Sequence, residues 1–111
     1  MSTATIDAAR PCLTVVITIS VADEQREAFL SEIRAAVDSY IAQQPGFVSA
    51  SFHRRLDAPG VLNYAQWASV ADYEAFMNSG GFASEIMAVF QRHGAMPSFG
   101  RYEVVGTHLA T

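Results

Sequence analysis

An α+β fold, with elements in the order β-α-β-β-α-β and an antiparallel sheet, is the class this sequence predicts. Three observations predict it. β-branched, alternating stretches at residues 12–21 and 47–55 flank a long segment with apolar residues at helical spacing. The turn-forming run "LDAPG", residues 56–60, joins the second strand directly to a third at 61–69. A second helical segment and a closing β-rich stretch complete the order. Four antiparallel strands with two helices, connected this way, make the ferredoxin-like arrangement.

Each element has its own justification. "CLTVVITISV" (12–21) alternates and is rich in Val, Ile and Thr, so it reads as the first strand. In residues 22–44, Phe29, Ile33, Val37, Tyr40 and Ile41 fall on one helical face, with Asp23 as the expected N-cap and Pro45-Gly46 as the stop. "FVSASFHRR" (47–55) and "VLNYAQWAS" (61–69) form a hairpin. Ser69 followed by Asp72 three residues later reads as a capping box for a second helix with Tyr73, Phe76 and Met77 on its apolar face. Gly80-Gly81 interrupts that helix, and residues 82–93 resume it through Ile86, Met87, Val89 and Phe90. "SFGRYEVVGTHLA" is the expected last strand. Residues 1–11 lack an apolar run of signal-peptide length and read as a flexible arm, with one domain at 12–111.

Composition narrows the function. A chain of 111 residues, half of them hydrophobic, fits a single domain with a true core. No stretch approaches the roughly 20 apolar residues of a membrane helix, so a cytoplasmic protein without a membrane partner is expected. A net charge of −4, with no basic run beyond Arg54-Arg55, argues against nucleic acid. The single Cys12 builds neither an internal disulfide nor a thiolate metal site. All seven basic residues are arginines, which excludes a lysine Schiff base. His53, His93 and His108 stand singly without metal-ligand spacing, and there is no nucleophile elbow or dinucleotide turn, so no metal and no cofactor is expected.

Two helices cover one face of such a sheet and leave the other for water or a partner. Folding the hairpin about Ala58 sets His53 opposite Asn63, Ser51 opposite Ala65 and Ser49 opposite Trp67. One face then holds these six residues; the other holds Val48, Ala50, Phe52, Leu62, Tyr64 and Gln66. The second set suits a homodimer joined sheet to sheet. The first, small and polar around one indole, is what a pocket under apolar helices requires. The same pattern also fits a solvated sheet face; Trp67 favours the pocket, because a lone indole is seldom left in water.

Asn63 offers donors and an acceptor without charge, Trp67 a flat apolar wall, and Tyr73 a hydroxyl near the pocket mouth. His53 is a candidate base. Met87 and Phe90 lie where a ligand wall or a core would need them.

"PGFVSASFH", followed by "NYAQW" and a tyrosine six residues after the tryptophan, resembles the antibiotic biosynthesis monooxygenase family, and within it the small anthrone-oxidising members. The resemblance covers residues 45–76 most closely. It implies a homodimer whose ferredoxin-like sheets make a dimeric α/β barrel, and oxidation of a phenolic ring to a quinone by O₂ without a cofactor. It assigns Asn63, Trp67 and Tyr73 to substrate binding and catalysis; the strand-face pattern adds Ser49, Ser51 and His53, and the helical spacing Met87 and Phe90, as candidates near the small aromatic substrate. Relatives also use an arginine on the second helical segment; Met87 stands near that position here, and Arg92 lies beyond it.

Three other functions share the architecture. A non-catalytic dimeric module would bind an aromatic ligand without turnover. A polyketide cyclase would act without consuming O₂. A haem-degrading monooxygenase would need a histidine on the second helix, which "DYEAFMNSGGF" lacks.

Overall fold

The sequence alternation becomes a single four-stranded antiparallel sheet in the computed structural model, which describes residues 2–111; Met1 of the expected arm lies outside them. β1 (Leu13–Ser20) leads into α1 (Asp23–Ser39) and a 3-10 turn (Ile41–Gln43). β2 (Phe47–Arg54) and β3 (Val61–Trp67) form the hairpin. α2 (Val70–Met77), a π-helical turn (Phe82–Met87) and α3 (Ala88–Arg92) precede β4 (Met96–Tyr102). The strand order β2-β3-β1-β4 is the ferredoxin-like order, with the earliest strand central.

The helices pack on one face. Val15 and Ile19 of β1 point into them and meet Phe29, Leu30 and Ile33 of α1 and Val89 and Phe90 of α3. Phe29 is fully buried; removing such a side chain from water contributes about 1.5–3 kcal/mol. Glu27 of α1 pairs with Arg54 of β2, and Glu32 with Arg92 of α3, so α1 is tied at its rim to both neighbours.

Three boundaries differ from the sequence reading. Ala22, not Asp23, is the N-cap of α1; Asp23 and Glu24 lie in the first turn, where a negative charge favours the helix dipole. The last strand runs from Met96 only to Tyr102, because Tyr102 pairs with Thr14 at the start of β1 and the residues after it have no strand to pair with. The second helical segment breaks at Asn78-Ser79, not at Gly80-Gly81, which are helical and lead into a π-helical turn. Gly81 is required there by close packing: a Cβ at this position would fall on the Tyr40 hydroxyl.

The hairpin register corrects the expected faces. Asn63 pairs with Phe52, Ala65 with Ala50, and Trp67 with Phe47, with a bulge between Phe47 and Ser49. Arg54 and Val61 close the hairpin, so pairing is centred between Asp57 and Ala58, not on Ala58. A one-residue slip turns every side chain of a strand over. Phe47, Ala50 and Phe52 therefore join Asn63 and Trp67 under the helices. Ser49, Ser51 and His53 lie on the outer face with Gln66, Tyr64 and Leu62, their partners across the strands.

Candidate active site

β3 alternation places Asn63, Ala65 and Trp67 on the helix-covered face, all buried. They floor a cavity between sheet and helices. Ile17 of β1, Phe52 of β2 and Phe99 of β4 extend the floor, and Tyr73, Phe76, Met77, Phe82, Ile86 and Phe90 form the roof. The open volume is about 50 Å³, and the gaps and mouth around it bring the envelope to about 570 Å³. Liquid water occupies about 30 Å³ per molecule, so the closed cavity is sized for one or two waters and not for a ring system.

One polar atom in this wall has no partner. Asn63 Oδ1 is buried and accepts no hydrogen bond. The indole of Trp67 is 3% exposed and enclosed by aromatics: it stacks on Phe76 with centroids 5.1 Å apart and meets the edges of Phe47 at 5.4 Å and Tyr73 at 5.9 Å. Trp67 is thus both core and cavity wall.

Tyr73 is held by the helix start. Ser69 is in an extended conformation, and its Oγ accepts from the Asp72 backbone N–H at 3.1 Å and donates to Asp72 Oδ2 at 2.9 Å. The expected cap is therefore present, and it delivers Tyr73 in the first turn of α2 over Trp67. Burial pushes the Tyr73 hydroxyl above the ordinary tyrosine pKa, and Arg101 partly opposes that. At neutral pH it is a hydrogen-bond donor. The Arg101 guanidinium lies 5.2 Å from the centre of the Tyr73 ring, and its Nη1 donates to Glu74 Oε1 at 2.9 Å.

The remaining expected site residues separate. Phe90 lines the cavity; Met87 is half-buried against the core and does not. His53 is exposed on the outer face, with its Nδ1 3.0 Å from the Ser51 carbonyl, and is not a base for this cavity. Ser49 Oγ donates to Gln66 Oε1 at 2.6 Å, and Gln66 Nε2 donates to the Thr5 carbonyl at 2.9 Å, which ties the N-terminal arm to that face. Phe99 and Arg101 were missed, although the i, i+2 spacing of "FGR" puts both on one side of a strand. Arg92, the arginine of the second helical segment, is turned to Glu32.

Residues 12–84 match the antibiotic biosynthesis monooxygenase family. The chain belongs to that family. Within it, the chain is 39% identical over 72 residues to the tetracenomycin-F1 monooxygenase of Streptomyces glaucescens; the match spans 65% of this chain and 64% of that protein. Two solved structures share its fold. The ActVA-Orf6 monooxygenase of Streptomyces coelicolor, solved with nanaomycin D, superposes with a TM-score of 0.79 at 23% identity, covering 93% of this chain and 96% of that one. SnoaB, a cofactor-independent oxygenase from Streptomyces nogalater, gives a TM-score of 0.72 at 22% identity, covering 88% and 96%. Among the described residues, no helix of this family member is long and apolar enough to cross a membrane. No group of three or more His, Cys, Asp or Glu among them is placed to hold a metal ion.

Proposed function

We propose that this protein is a cofactor-independent monooxygenase that oxidises a polycyclic phenol or anthrone-like aromatic to a quinone with O₂. The observation that carries the reading is the unpaired, buried Asn63 Oδ1 in an otherwise aromatic and aliphatic cavity, beside Trp67 and Tyr73. A buried acceptor without a partner costs about 1–3 kcal/mol. A phenolic O–H that donates to it relieves that cost, so the site selects a flat guest with a hydroxyl at one edge. The monooxygenase and cofactor-independent oxygenase names of the similar proteins support the reaction class.

The substrate supplies the reducing power. Loss of one proton leaves an electron-rich anion that gives one electron to O₂; the two radicals combine into a hydroperoxide on the ring carbon. Loss of water then leaves a carbonyl. A ring CH₂ and O₂ become C=O and H₂O, with all four electrons drawn from the substrate carbon. The protein holds the ring against Trp67, donates an Asn63 Nδ2–H to the oxygen anion after the proton leaves, and offers the Tyr73 hydroxyl to the peroxide. Among the described residues no carboxylate or imidazole lines the cavity, and in this reading the substrate proton leaves to water at the mouth. A ligand of this size requires the roof to lift, and the π-helical turn with its Gly80-Gly81 entry is the part of the roof without a regular α-helical ladder. The functional unit in this reading is a homodimer joined through the outer face of the sheet.

O₂ uptake by colourless, metal-free protein against a panel of anthrones and naphthols tests it. One O₂ consumed per quinone formed is the expected result. Quenching of Trp67 fluorescence without O₂ uptake makes the protein a binding module, and ring closure without O₂ makes it a cyclase.

A further inference from the structure

Arg101 is an unusual occupant of its position. It pairs with Val15 and so faces the helices, two residues beyond Phe99 on the same side of the edge strand β4. A guanidinium there stands at the rim of the apolar cavity, half-exposed, with its planar group over the ring of Tyr73. Tyr73 is thereby held between two groups, the tilted indole of Trp67 and the cation of Arg101.

We propose that Arg101 is a positioning residue for Tyr73: it clamps the ring so that the hydroxyl faces the cavity, and its charge favours transfer of hydrogen-bond density from that hydroxyl to an anionic guest. Glu74, ion-paired to Arg101, sets how much of the charge Tyr73 feels. This deepens the oxygenase reading and rests on it for the identity of the guest. The charged groups that bear on Tyr73 are few. Arg101 comes from β4; on its own helix Asp72 is turned into the Ser69 cap and Glu74 toward Arg101. The opposing effects of burial and of Arg101 on the acidity of Tyr73 agree with this geometry. The contact also explains why this half-exposed strand-edge arginine lies over the ring: a cation over an aromatic face is attracted by the ring quadrupole, and Arg presents a flat group suited to it.

The test separates charge from scaffold. The phenolate absorbance of Tyr73 is isolated by difference against Tyr73→Phe and titrated in the intact protein. Arg101→Gln is expected to move Tyr73 ionisation to higher pH, Glu74→Gln to lower pH, and Arg101→Lys to leave it close to the parent. With an anthrone that the parent oxidises, Arg101→Gln is expected to lower kcat by about tenfold with KM little changed, as for an interaction made chiefly in the transition state. Identical Tyr73 titrations in the parent, Arg101→Gln and Glu74→Gln overturn the proposal, whatever the turnover. A parent that oxidises no anthrone overturns the oxygenase reading instead, and the titration still decides the role of Arg101.

Discussion

Asn63 is the residue whose cost to the folded protein is plainest. Its Oδ1 is buried and has no hydrogen-bond partner in the protein, at a strand position where neighbours such as Val15, Ile17 and Ala65 are apolar. Removing the amide removes an unsatisfied group, which offsets the small volume lost. Asn63→Ala is therefore expected to change stability by less than about 1 kcal/mol, in either direction, in urea unfolding. In the proposed reaction the same substitution takes away the donor to the oxygen anion, so turnover is expected to fall about 10²–10³-fold. A variant that unfolds far more easily than the parent, with turnover lost only in proportion, would show that Asn63 serves the fold. Thr14 Oγ1, also buried without a partner, lies on the other face and has no such cavity beside it. The contrast shows that an unpaired polar atom points to function only where there is space for a guest.

Elements differ in how far local sequence decides them. The Ser69 N-cap is local and legible because Ser69 and Asp72 lie three apart, although Asp72 Oδ2 accepts from the Ser69 hydroxyl and not from its backbone N–H as a full capping box would. Ser69→Ala is expected to cost about 1 kcal/mol of stability. It also loosens the turn that presents Tyr73, so turnover falls further than stability alone predicts, and Ser69→Thr restores both. Gly81 belongs to a different class. Its constraint comes from Tyr40, about forty residues earlier in the chain, whose hydroxyl occupies the place a Cβ would take. Gly81→Ala is expected to cost about 1–3 kcal/mol by overpacking, and Gly81→Ala with Tyr40→Phe to recover only part of that, because the ring carbon beneath the hydroxyl also stands too close; equal melting of the two variants would show that the hydroxyl itself is not the obstacle. The same division explains what was legible. Strand and helix identity, the order of elements and the inward side of β3 follow from periodicity within each segment. The inward side of β2 depends on whether the 55–60 loop is counted as odd or even, a single residue that periodicity does not fix, and it sent Ser49, Ser51 and His53 to the wrong face. Cavity size and the Arg101–Tyr73 contact depend on side chains from separate elements meeting in space, and no local pattern contains them.

At the scale of the whole molecule the outer face of the sheet decides the assembly. Helices cover only the inner face. On the outer face Val16, Leu62 and Tyr64 are half-buried, and Met96 is 71% and Tyr102 57% exposed, set among Thr18, Ser51, His53, Gln66 and Ser98. Four strands of seven or eight residues make a patch roughly 20 Å by 25 Å. A second copy of the chain offers the same mixed face, whose apolar side chains a two-fold contact covers on both sides. The arm marks one limit of that contact, since Gln66 holds the Thr5 carbonyl at the β2–β3 end. The 12.0 kDa chain is therefore expected to sediment at twice its mass. Tyr64→Arg with Met96→Glu sets charges into the centre and rim of the face without touching the cavity, and is expected to give a monomer that keeps the far-UV spectrum of the parent. If the parent itself sediments at a single chain mass across the micromolar range, the outer face is a solvated surface and the site is built by one chain alone. If the doubly substituted monomer loses turnover while its Trp67 emission is unchanged, the second copy supports the roof over the cavity as well as the sheet beneath it.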